Sequence, residues 1–212
     1  MLDISKIYTS TKCGDFRVIS YISKSNVCIE FLDTGYRCTV HNQQIKIGSV
    51  KDRLSPSVLG VGFIGKGDHK STNGKENTKA YKTWRSMLER CYCPNYQEKH
   101  YTYNGCSVAI EWHNFQCFAE WFGCNYINGF ELDKDIRIDG NKIYSKDTCL
   151  FVRKAQNIIK ANAKHFTFMS PKGEIVEIYN MNEFCRGTEL RQRGMIAVNQ
   201  GKQNHHKGWT KA

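Results

Sequence analysis

Acidic charge is scarce in this 212-residue sequence: 20 Asp and Glu stand against 31 Lys and Arg, a formal net charge of +11. A balance this basic points to a polyanionic partner, nucleic acid ahead of an anionic membrane surface. Long apolar runs are missing as well. No stretch approaches the roughly 20 residues that cross a bilayer, so no membrane partner is expected. Met1 to Lys6 carries no long apolar core of the kind an export signal needs, and a cytoplasmic protein is expected. The ten cysteines are then expected as reduced thiols packed like small hydrophobes. The paired spacing of a structural zinc site is also lacking. Cys91 and Cys93 lie too close, and Cys106, Cys117 and Cys124 are loosely spaced, with His113 falling among them. No Walker loop occurs, because Gly67 is followed by Asp68, and there is no solenoid repeat or low-complexity tract. What is present is enough apolar residue, 40%, to build real cores.

The first 65 residues read as β-rich. Residues 16–22, 27–31 and 36–40 are short apolar or alternating runs, with a hairpin turn at 23–26 and an Asp33-Thr34-Gly35 turn, which predicts a three-stranded meander. Arg17, Lys24 and Arg37 suit phosphate contact from such a sheet, and a structural or dimerising sheet fits equally well. Asp68 to Thr78 reads as an exposed linker. Its lysines and Lys66 fit a solvated loop better than contact with a nucleic-acid backbone. Helices are predicted over 78–92, from the spacing of Tyr81, Trp84, Met87, Leu88 and Cys91, and over 111–122, from Trp112, Phe115, Phe118, Ala119 and Phe122.

The chemistry is expected in residues 130–157. Phe130-Glu131-Leu132-Asp133 reads as a strand that ends on a carboxylate. Ile136-Arg137-Ile138 reads as a second extended piece before an Asp139-Gly140 turn. Ser145 is a candidate cap for a helix that carries Leu150, Val152, Ala155, Ile158 and Ile159 on one face. That order makes Asp133 and Asn157 the candidate ligands for one small hard cation, magnesium or manganese.

The C-terminal part begins afresh near His165. A β-hairpin is predicted over 167–179, then a helix capped by Asn180, a break at Gly187 and a second helix over 189–200 that ends at Gly201. This is a helix-turn-helix outline. From Phe151 to Ala212 there are eleven Lys/Arg and four Asp/Glu, so +7 of the net charge lies there. That concentration favours double-stranded DNA as partner, with Arg153, Lys154, Arg191, Gln192, Arg193, Lys202, His206 and Lys207 as the candidate contacts.

On these residues the stretch 130–157 resembles the ββα-metal core of HNH endonucleases, especially phage and intron homing endonucleases. Tyr81, Trp84, Met87, Arg90, Cys91 and Tyr92, then Val108, Trp112, Phe115 and Phe118, match the runs that precede that core in a phage-type subset. The resemblance implies that Asp133 and Asn157 hold the metal, with Thr148-Cys149 at the helix entry. Lys134 stands where the family has the His that deprotonates the attacking water. Asp135 is a possible helper, and Arg137 or Arg153 a candidate to steady phosphate charge. Ser170-Pro171-x-Gly173, Asn180-Met181-x-x-Phe184-Cys185 and Gly201-Lys202-x-x-x-His206-Lys207-Gly208-Trp209 resemble the modular DNA-binding repeat that accompanies those nucleases.

The expected fold class is therefore α+β in three modules: a β-rich piece over 1–65, an HNH-like core over 79–162 and a DNA-binding module over 165–212. The expected activity is metal-dependent DNA endonuclease, in a bacterial host cell if phage-encoded. The alternative is a non-catalytic DNA-binding regulator that keeps the fold without the base. A third class, RNA binding, rests only on the tyrosine-rich patch from Tyr92 to Tyr103.

Overall fold

Period-two alternation builds the first sheet. Phe16 and Val18 point inward from β2 (Gly14–Ser23), facing Val27, Ile29 and Phe31 of β3 (Asn26–Phe31), with Phe16 opposite Phe31 and Val18 opposite Ile29. The computed structural model describes residues 2–153 and 165–212. It adds β1 (Ile7–Ser10) to the predicted meander, giving the order β1-β2-β3-β4 with β4 at Arg37–Val40. Tyr36, Ile45 from the short helix α1 (Asn42–Lys46) and Val50 close its core. On the outer face Glu30 bridges strands, accepting from Arg17 Nε at 2.9 Å and Arg37 Nε at 2.7 Å. Arg37, then Arg17, hold its carboxyl below the usual range.

The predicted linker is instead a small exposed hairpin, β5 (Thr72–Asn73) and β6 (Glu76–Asn77), because Gly74 supplies the turn between the two strands. Thr78 then caps α2 (Lys79–Tyr92) by accepting the Tyr81 amide, and its hydroxyl donates to the carbonyls of Lys70 and Ser71. Trp84, Met87, Leu88 and Cys91 are the buried stripe. Pro94 starts a further helix, α3 (Pro94–Lys99).

The predicted helix 111–122 is two pieces. Residues Ile110–His113 form a 3-10 turn, and α4 (Phe115–Asn125) begins only after Asn114, whose side chain caps the Gln116 amide. Trp112, Phe115, Phe118 and Phe122 pack with Trp84, Trp121 and Phe151 into an aromatic core. Trp84 Nε1 donates to the Trp112 carbonyl at 2.6 Å, so its polar handle is satisfied inside that core.

The glycine-spaced run 58–67 wraps this core. A Cβ on Gly62 would lie 2.5 Å from Leu88 and 2.9 Å from Trp84, so only glycine allows the approach. Buried Gln116 ties the run down. It donates to the carbonyls of Ile64 and His69 and accepts the His69 amide, all at 3.0 Å.

Four short strands pair two by two. β7 (Ser107–Val108) runs parallel to β9 (Ile143–Tyr144), and β8 (Phe130–Asp133) pairs with β10 (Leu150–Arg153). By chain contacts the protein forms two compact units, Met1–Asn128 with Leu132–Phe151 and Gly129–Glu131 with Val152–Ala212. In the second, β11 (Phe166–Met169) is flanked by β12 (Ile175–Ile178) and β13 (Thr210–Lys211). Helices α5 (Met181–Arg186) and α6 (Gln192–Asn199) supply Met181, Cys185, Met195 and Val198 to a core with Phe168 and Ile178. Helix α6 starts three residues later than predicted, and Leu190 packs on that core from the connecting segment. The class is α+β, and no helix among the described residues is long and apolar enough to cross a membrane.

Candidate active site

Asp133 is the last residue of β8, half-buried at the strand end as its sequence position suggests. Its Oδ1 accepts the amides of Asp135 at 2.8 Å and Ile136 at 2.7 Å. That turn bends the chain away from the strand, which is why Ile136 to Ile138 is not the predicted second extended piece. The strand that pairs with β8 is β10, residues the sequence placed on a helix. Ser145 caps a turn, not a helix: its Oγ accepts the Thr148 amide at 3.2 Å. Asn157 and Lys154 lie outside the described residues.

Lys134 is buried with 7% of its side chain exposed, although lysine is seldom buried without a partner. Its ammonium pairs with Asp135, donates to the Asn141 carbonyl at 2.7 Å and sits 5.8 Å from the centre of the Tyr144 ring. Asn141 returns the contact, donating from Nδ2 to the Lys134 carbonyl at 2.8 Å and to the Ile143 carbonyl at 2.7 Å. Lys134 and Asn141 therefore close the loop between them like a clasp. The side chain turns inward because the loop carbonyl and the tyrosine face are there to receive it.

Beneath the clasp lies a layer that sequence reasoning missed. Tyr144 is 2% exposed, and burial raises its phenol well above the usual range. It meets Arg90, whose guanidinium also lies 5.6 Å from the Tyr103 ring. Burial pushes the thiols of Cys91 and Cys149 up to about 12, so they are protonated and inert here, as packed hydrophobes are. The motif match at Arg90 and Cys91 was visible in sequence, but nothing in the spacing linked them to Tyr144. His113 is half-buried against Tyr92, with its Nε2 3.2 Å from the Tyr92 hydroxyl. Arg137 donates to the Asp147 carbonyl at 3.0 Å.

Asp133 Oδ2 has no hydrogen bond from any described residue, and a single carboxylate oxygen is a donor that suits a hard cation keeping most of its own waters. Among the described residues no group of three or more His, Cys, Asp or Glu side chains is arranged to hold a metal.

No known protein family matches the chain, and no curated protein matches it. Among solved structures it is similar to the HNH homing endonuclease I-HmuI, known from a structure of DNA binding and cleavage. The identity is 26%, over 41% of this chain and 59% of that one, with a TM-score of 0.25.

The DNA-contact candidates divide by exposure. Arg191, Gln192, Arg193 and Lys202 are exposed around α6, and Arg153 is exposed at the end of β10, 5.8 Å from the Phe130 ring centre. His206 is different. Its Nε2 accepts the Arg191 amide at 3.1 Å and its ring lies against Gly194, so it fastens the start of α6. Lys207 and Gly208, at φ of 50° and 80°, form a tight turn closed by two hydrogen bonds between His206 and Trp209. Lys207 also pairs with Glu189 at 3.3 Å. The stretch His206-Lys207-Gly208-Trp209 thus builds the turn that returns the chain to β11.

Proposed function

We propose that this protein is a metal-dependent DNA endonuclease with an HNH-like core, in which Asp133 is the first metal ligand. The observation that carries the reading is the placement of Asp133. It closes a strand paired to β10, its Oδ1 is fixed by two backbone amides, and its Oδ2 accepts no hydrogen bond from any described residue. Asn157 is the proposed second ligand, and Mg2+ or Mn2+ the ion. A bound divalent cation supplies charge stabilisation for the phosphorane and the leaving 3′ oxygen. Asp135 and Lys134 support the site as a bonded pair, and Arg153 is the proposed phosphate contact. The C-terminal hairpin and its two helices, read as a helix-turn-helix module, hold duplex DNA through Arg191, Gln192, Arg193 and Lys202.

One observation favours a second reading. The residue beside Asp133 is a buried lysine engaged with Asp135 and Asn141, where catalysis through an imidazole base would need a histidine. A non-catalytic DNA-binding regulator accounts for that. Purified protein incubated with plasmid and phage DNA in magnesium, manganese or chelator separates the two. Metal-dependent cleavage supports the nuclease, and binding with no cleavage in any condition supports the regulator.

A further inference from the structure

The net charge of +11 is not spread over the chain. Residues 66–85 hold six Lys/Arg and two Asp/Glu, a net +4, and residues 151–212 hold eleven and four, a net +7. The remaining residues carry fourteen of each sign and cancel. The second concentration is the proposed DNA module. The first belongs to the other compact unit and has no part in the site described above.

Its geometry is that of a patch. Lys79, Lys82 and Arg85 lie at three-residue spacing on α2, and all three are exposed while Trp84, Met87 and Leu88 are buried. Three residues advance a helix by about 4.5 Å, so the three cations make a short stripe. The β5–β6 hairpin stands beside the start of that stripe. Thr78, the cap of α2, bonds the carbonyls of Lys70 and Ser71, which holds exposed Lys70 next to the helix start. Exposed Lys75 lies at the hairpin turn. Among the described residues none of these five cations has a carboxylate partner.

The stripe also breaks a local rule. The first turn of α2 contains no acidic residue and begins with Lys79, although the positive pole of a helix favours Asp and Glu there. Helix stability does not explain that choice, whereas a polyanionic ligand does.

We infer that this face, the α2 stripe with the β5–β6 hairpin, is a second DNA-backbone contact surface, separate from the C-terminal module. The inference rests on the DNA-binding reading and deepens it. Contacts of lysine and arginine with phosphate are independent of sequence, so this face contributes affinity and salt dependence but no base readout.

The test compares the full chain with a triple variant, Lys79→Gln, Lys82→Gln and Arg85→Gln, on random-sequence duplex DNA across a salt series. Each lost phosphate contact lowers the slope of log K against log salt by about 0.9, so the variant should lose about 2 to 3 from that slope. Its thermal stability should be equal or slightly higher, because cations leave the positive pole of the helix. An unchanged slope and affinity, with wild-type binding intact, overturns this proposal and leaves the DNA-binding reading standing. Wild-type protein that binds no DNA at low salt overturns that reading and this proposal with it. Equal losses on duplex DNA and on vesicles rich in anionic lipid would mark the face as a general polyanion surface and also overturn it.

Discussion

Asp133 and Lys134 are neighbours in sequence with opposite fates. Asp133 Oδ1 serves the loop and Oδ2 serves the proposed metal, so two substitutions separate its roles. Asp133→Asn keeps an oxygen for the two amides and should fold and bind DNA normally, with cleavage lost. Asp133→Ala removes the turn as well and should lower stability by about 1 kcal/mol in addition. Urea unfolding and DNA cleavage measured on both variants check this. Lys134→Met leaves Asp135 and the Asn141 carbonyl without their shared donor, and we expect a loss of about 1–3 kcal/mol. Lys134→His offers an imidazole at neutral pH but loses the clasp. It should raise the neutral-pH cleavage rate only if the loop holds, and a rise in rate with unchanged stability would show that the clasp is dispensable. The identity of this pair and its place at a strand end are legible in the residues 130–134. The inward turn of Lys134 depends on Asn141 and Tyr144, seven and ten residues away, and no local pattern encodes it.

At the scale of elements, the buried layer under the clasp makes the fold sensitive to alkali. Burial raises Cys91 and Cys149 to about 12 and also raises Tyr144. In the unfolded chain these thiols ionise near 8.5 and the phenol near 10. Between those values and the folded ones the native state holds more protons than the unfolded state, so stability falls as pH rises. It is fully present below about 8.5, and a melting temperature that drops between pH 8 and pH 10.5 is the expected result. At pH 8 an alkylating agent should label exposed Cys117 and Cys124 quickly and spare Cys91 and Cys149 until the protein is denatured, as peptide mass spectrometry can show. Helix α2 was legible because Trp84, Met87, Leu88 and Cys91 keep helical spacing between a threonine cap and Pro94. The strand β10 was not. Leu150 to Val152 is a short apolar run, which periodicity alone cannot assign to strand or helix, and its pairing with β8 is a tertiary fact. The turn at Lys207-Gly208 was not legible either, because a positive φ at lysine has no sequence signal. Gly62 lies in a glycine-spaced run, but the contact with Trp84 and Leu88 that requires it appears only in three dimensions. Gly62→Ala should cost about 1–3 kcal/mol by overpacking, readable in a denaturant titration.

For the whole molecule, the charge map assigns two basic regions to two compact units around a balanced remainder. A chain ending near Lys164 lacks the exposed cations around α6 and should bind DNA much more weakly, with a shallower salt slope, than the full chain. Equal affinity of the two at physiological salt would remove the C-terminal module from the account. The central claim, that this is a nuclease whose metal is held by Asp133, is tested most directly by one cleavage assay. The full chain and Asp133→Asn are incubated with the same duplex DNA in magnesium and in chelator, with binding measured in parallel. We predict cleavage by the full chain in magnesium alone, none by Asp133→Asn, and equal binding by both. Cleavage by Asp133→Asn at the wild-type rate, or intact DNA throughout despite binding, would contradict it.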